Sequence, residues 1–74
     1  LAKYYLADYP GAIHEYTRAL ELKPNAAVTL KNRGTVYLQM DSFRLAVNDF
    51  SLTLRGDPDD GEALYKKGIA LASL

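Results

Sequence analysis

Shifted against itself by 34 positions, the chain meets its own pattern. Ala12 falls on Ala46, Leu20 on Leu54, Pro24 on Pro58, Leu30 on Leu64 and Gly34 on Gly68. Between these identities size and polarity are kept, with Tyr9 on Phe43, Ile13 on Val47, Tyr16 on Phe50, Glu15 on Asp49 and Arg33 on Lys67. A period of this length is one supersecondary unit that cannot bury its apolar face alone and must stack on its neighbours. At 74 residues the chain holds one small domain or a piece of an array, and a multi-domain enzyme is excluded.

Within a period the apolar residues follow helical spacing. Leu30, Gly34, Tyr37 and Leu38 form one stripe, and Phe43, Ala46, Val47, Phe50 and Leu54 another, which predicts two amphipathic helices per repeat. Asp41 and Ser42 stand where the second of these needs an N-cap, and Asp8 repeats the arrangement, with Pro10 tolerated in the first turn. Lys23 and Asp57 each precede a proline and are pushed out of the α region, Gly56 is free to take a left-handed cap, and Asp59 or Asp60 caps the following helix. The expected helices cover 1–7, 10–23, 26–40, 43–55 and 60–73, joined by turns short enough to make neighbours antiparallel. Small residues on the stripes, Ala12, Ala46, Gly34 and Gly68, read as points where helices approach closely.

The run Leu30-x-x-Arg33-Gly34-x-x-Tyr37, Ala46-x-x-x-Phe50, Pro58 resembles the tetratricopeptide repeat. Ala12-x-x-x-Tyr16 with Pro24 supplies the preceding copy, and Leu64-x-x-Lys67-Gly68-x-x-Leu71 the following one. Leu30, Arg33, Lys67, Thr53 and Leu71 replace frequent residues of the pattern. The resemblance implies an all-α fold, an α-solenoid of antiparallel helix-turn-helix units in a right-handed superhelix. It divides the chain into a partial repeat at 1–26, a complete one at 27–60 and the first helix of a third at 61–74. It further implies a protein-protein interaction scaffold whose first helices line a concave peptide-binding face: Tyr4, Tyr5, Val28, Lys31, Asn32, Thr35, Gln39, Glu62, Tyr65, Lys66 and Ile69. On that face Lys31 and Lys66 can meet carboxylates, Asn32 a peptide backbone, and Tyr65 a flat contact, so an extended peptide carrying an acidic group is the expected ligand. The family's carboxylate clamp for the acidic tails of heat-shock chaperones is broken in both registers: in one, Leu1 and Glu62 replace an asparagine and a lysine; in the other, Thr35 and Lys66 replace asparagines.

Other chemistry is missing from the sequence. There is no cysteine, so disulfides, thiolate zinc sites and cysteine nucleophiles are out. His14 has no partner at helical spacing and reads as a surface residue, and the serines lack a positioned base. Asp57, Asp59 and Asp60 miss the ligand spacing of a calcium loop and read as capping residues. No catalysis, cofactor or metal is expected. Nine Lys+Arg against nine Asp+Glu give zero formal charge, which offers no footprint for nucleic acid or an anionic membrane. No apolar run reaches the ~18 residues of a membrane helix. Tyr9, Tyr16 and Tyr37 fall on repeat-pattern positions and are expected in the core, while Tyr4, Tyr5 and Tyr65 lie off the stripe. Leu1 in first position and the lack of a leader order make a fragment of a longer protein the expectation; the compartment stays open, with the cytoplasm as first choice. Self-association through uncovered ends, a spacer role and the recruiting arm of an enzyme are the alternatives.

Overall fold

The computed structural model describes residues 8–74, and the helix expected over 1–7, with Tyr4 and Tyr5, lies outside them. Four helices follow in order, α1 Tyr9–Leu22, α2 Ala27–Gln39, α3 Phe43–Gly56 and α4 Gly61–Ala72, and the described residues contain no strand. The boundaries fall within one residue of those read from the sequence, because Pro24, Pro58 and the caps fix them.

The 34-residue period is written into the backbone as well as the side chains. Lys23 (φ −135°, ψ 86°) and Asp57 (φ −143°, ψ 85°) end their helices in the same extended conformation, each forced on it by the proline that follows. Three residues later Ala26 (φ −68°, ψ 99°) and Asp60 (φ −69°, ψ 100°) open the next helix in matching conformations. The peptide N–H of Ala26 donates to Lys23 O at 3.2 Å, and that of Asp60 to Asp57 O at 3.1 Å. The two turns are one device used twice. They differ at the cap: Asp60 Oδ1 accepts from the Ala63 amide at 3.1 Å, whereas Ala26 has no side chain that can do the same. Asp8 caps α1 through the Gly11 amide at 3.1 Å, as its position suggested.

Two expectations about caps are corrected. Gly56 does not turn left-handed; no described glycine has positive φ, since the pre-proline Asp57 takes the chain away in extended form and no left-handed residue is needed. The left-handed residue is Asp41, at φ 62°. Its amide donates to Leu38 O at 3.1 Å and that of Ser42 to Tyr37 O at 2.8 Å, the paired bonds of a Schellman closure, with aspartate where glycine is usual. Asp41 therefore ends α2, and Ser42 sits at the start of α3 without its hydroxyl capping any amide.

Helix α3 packs on α2 and on α4, and α2 is the helix that touches all three others. Ala46, Asp49, Phe50 and Thr53 are its buried residues, with Ala63 and Ala70 of α4 opposite and Tyr37, Leu38, Phe43, Val47 and Leu54 around them. Gly34 makes the α2–α3 crossing close: a methyl group there would stand 3.0 Å from Cε1 of Phe50 and 3.1 Å from Cβ of Asp49. Gly68, expected to do likewise, does not; it is exposed, and a methyl group would meet nothing within 4 Å. The reason is that no described helix lies on that side of α4. The same difference separates Leu30, 3% exposed, from its counterpart Leu64 at 52%. Tyr9, Tyr16 and Tyr37 are half-buried at the edges of the packing.

Candidate functional site

Helices α2 and α4, which correspond at the 34-residue period, approach each other, while the backbones of α1 and α3 stay further apart. By helical phase Val28, Lys31, Asn32, Thr35 and Gln39 share one face of α2, turned away from the Leu30–Gly34 stripe. Glu62, Tyr65, Lys66 and Ile69 share the corresponding face of α4. Val28, Asn32, Gln39, Glu62, Tyr65 and Ile69 are exposed there, Tyr65 to 71%, and Lys31, Thr35 and Lys66 are half-buried between the helices. Thus the described part of the expected face comes together, and His14, Arg18, Asn48 and Arg55 stand exposed on α1 and α3.

The face is not a row of free cations. Lys31 Nζ lies 2.8 Å from Asp60 Oδ2 and 3.3 Å from Glu62 Oε1, and Lys66 Nζ lies 2.8 Å from Glu62 Oε2. Lys66 also donates to Thr35 Oγ1 at 3.1 Å, and the Thr35 hydroxyl donates to Lys31 O at 2.9 Å. Two ammonium groups and two carboxylates thus form a closed, neutral lattice between α2 and α4. The hydrogen bond to Asp60 pushes the Lys31 ammonium above its usual range. Lys31, helped by the Ala63 amide, holds Asp60 below the usual carboxylate value. Lys66 first, then Lys31, does the same for Glu62. The sequence puts Lys31 and Lys66 on one face by phase, and Glu62 one helical turn before Lys66; it does not reveal that Lys31 also finds its carboxylates within the chain, 29 and 31 positions further on.

A second polar group was missed altogether. Arg33 Nε and Nη2 donate to Asp49 Oδ2 and Oδ1 at 2.7 and 2.9 Å, a bidentate fork between α2 and α3, and Nη1 reaches Thr17 Oγ1 of α1 at 3.1 Å. Asp49 is 1% exposed, and among the described residues no buried side-chain nitrogen or oxygen lacks a partner. The pairing raises the Arg33 guanidinium above its usual value. Its cation lies 5.7 Å from the Tyr37 ring centre. A signal existed: Arg33 and Asp49 sit beside Gly34 and Phe50 on the packing stripes, and their 34-residue counterparts Lys67 and Glu15 keep both charges. The group locks three helices together and lies off the exposed face.

No family model matches the chain. Among curated proteins, Small glutamine-rich tetratricopeptide repeat-containing protein 2 of Mycosarcoma maydis is 36% identical over 66 residues, which are 89% of this chain and 19% of that protein. The Hsp70-Hsp90 organizing protein of Triticum aestivum is 36% identical over 80 aligned positions, 99% of this chain and 14% of its own length. The chain belongs to the tetratricopeptide repeat family. Serine/threonine-protein phosphatase 5 of Homo sapiens shares 28% identity over 67 residues, 90% of this chain and 13% of the enzyme. The chain thus spans about a fifth or less of the relatives it matches. Relatives of this repeat are co-chaperone and organizing proteins, which supports a role in protein interaction, with an enzyme among them.

In tetratricopeptide terms the described helices supply one first helix covered by its second, α2 by α3, and one first helix without such a cover, α4. Leu64, Leu71 and Leu74 are exposed on α4 and its end. A shallow depression at the α1–α2 turn is lined by Leu22, Lys23, Pro24, Asn25 and Ala26, none of them among the residues of the expected face. The described residues contain no group of three metal-ligating side chains, and no described helix is long and apolar enough to cross a membrane.

Proposed function

We propose that this tetratricopeptide segment is an interaction scaffold that binds an extended segment of a partner protein on the α2/α4 face. The observation that carries the reading is the approach of α2 to α4 without a matching approach of α1 to α3, which supports taking the first-helix side as the inside of the curve, where several helices can surround one ligand. Asn32 offers an amide to a peptide backbone, and Val28, Tyr65 and Ile69 offer apolar contact beside it. Tyr4 and Tyr5 extend the same proposal to the first helix of the preceding repeat. The repeats are divided at 1–26, 27–60 and 61–74, and the segment recruits without performing catalysis.

The test is selection of a displayed peptide library on the chain, with the bound peptide located by amide chemical-shift changes. Changes are expected at Asn32, Thr35, Tyr65 and Ile69. Changes confined to His14, Arg18, Asn48 and Arg55 would place binding on the opposite side and end the proposal. A second reading, self-association, draws support from the uncovered apolar face Leu64, Leu71 and Leu74.

A further inference from the structure

We infer that Glu62 is the resident occupant of an anion site made by Lys31 and Lys66, so that the face turns away carboxylate-bearing partners and accepts uncharged extended ones. This rests on the reading of α2/α4 as the binding face. Two ammonium groups on separate helices converge on one carboxylate, with Oε1 at 3.3 Å from Lys31 and Oε2 at 2.8 Å from Lys66. A ligand carboxylate bridging the same lysines would adopt that arrangement. Glu62 is tethered one helical turn before Lys66, which gives it an effective concentration on the order of millimolar or more, so a dilute anionic peptide competes poorly.

The two carboxylates of the lattice are not equivalent. Asp60 spends one oxygen on Lys31 and the other on the amide that starts α4, and its side chain is largely covered. Glu62 has a side chain 53% exposed, no backbone amide to cap, and bonds to the two lysines alone. It can therefore leave, or be removed, without loss of the helix start. While it stays, the four charges sum to zero and no local field draws an anion in. What remains open to a partner is Val28, Tyr65 and Ile69 with the Asn32 amide, which suits apolar side chains on an extended backbone.

The experiment uses Glu62→Gln, which keeps size and hydrogen bonding but removes the charge, with far-UV circular dichroism confirming unchanged helicity. The probes are acetyl-Ala-Ser-Glu-Glu-Asp with a free carboxyl end and its neutral counterpart acetyl-Ala-Ser-Gln-Gln-Asn amide, labelled for fluorescence polarisation at low salt. The acidic peptide is expected to bind the variant at least roughly tenfold more tightly than the unchanged chain, and to lose the gain when Lys31→Ala is added. The neutral peptide should bind both alike. An acidic peptide that binds both chains equally, or neither, overturns the inference, as does an equal gain for the neutral peptide. Amide shift changes separate the two ideas: a gain mapped to α1 and α3 refutes the binding face, whereas absence of gain refutes only the role of Glu62.

Discussion

Gly34 and Gly68 occupy one repeat position, yet replacing each with alanine should move stability in opposite directions. Alanine in a helix interior is favoured over glycine by about 1 kcal/mol at either site. At Gly68 nothing opposes that gain, because the new methyl group would meet no atom within 4 Å. At Gly34 it would stand 3.0 Å from the Phe50 ring and 3.1 Å from Asp49 Cβ. Phe50 is fully buried and cannot swing aside, and Asp49 Cβ moves only with the backbone of α3 and its bond to Arg33. Overpacking of this kind costs ~1 to 3 kcal/mol, so after the helix gain the net effect at Gly34 is a loss of up to about 2 kcal/mol. For a domain of this size that is a drop in Tm reaching at most roughly 8 to 16 °C for Gly34→Ala, against a rise of roughly 4 to 8 °C for Gly68→Ala. Thermal unfolding followed at 222 nm reads both. If both variants raise Tm, the close α2–α3 crossing is misassigned; if both lower it, the open side of α4 is.

Ala26→Asp should give α2 the cap that Asp60 gives α4, since the backbone already holds the capping geometry, and raise stability by about 1 kcal/mol in urea unfolding; no gain would mean that the two turns are not equivalent. Arg33→Ala leaves a buried carboxylate unpaired and is expected to cost ~3 to 5 kcal/mol, much of the total for 74 residues, while Arg33→Leu with Asp49→Leu recovers most of it; a loss under about 1 kcal/mol for the single variant would contradict the buried fork. Asp60 and Glu62 have folded values below their usual ones, so their contribution is complete above the usual carboxylate range and is lost as pH falls through the lower folded values. Tm should accordingly fall below pH ~4, less steeply in Asp60→Asn than in the unchanged chain, and parallel curves would refute the coupling. Changing Leu71 and Leu74 to Lys should narrow the sedimentation profile; a chain that is already a strict monomer at high concentration removes the self-association reading.

The helix order and most boundaries were legible because they are set by local chemistry: prolines after Lys23 and Asp57, carboxylates at Asp8 and Asp60, and apolar residues at helical spacing. The left-handed residue was not. Glycine at 56 signals such a residue and aspartate at 41 does not, yet the pre-proline position settled the first and the Schellman closure claimed the second. Gly34 and Gly68 look alike in sequence, and only the presence or absence of a covering helix distinguishes them. The stripe of the candidate face follows from phase alone. Its internal pairing does not, because Lys31 finds its carboxylates on another helix, and the sequence gives composition and phase without the distance between helices. Arg33 and Asp49 were visible as charges kept at the repeat offset, but charge on a packing stripe carries no sign of its partner.

The side-chain bonds between α2 and α4 among the described residues are all polar, Lys31 to Asp60, Lys31 to Glu62 and Lys66 to Thr35, whereas the outer layer is held by the apolar packing of α3. Salt screens the first kind and strengthens the second. Rising ionic strength is therefore expected to loosen the α2–α4 contact before it touches the apolar core around α3.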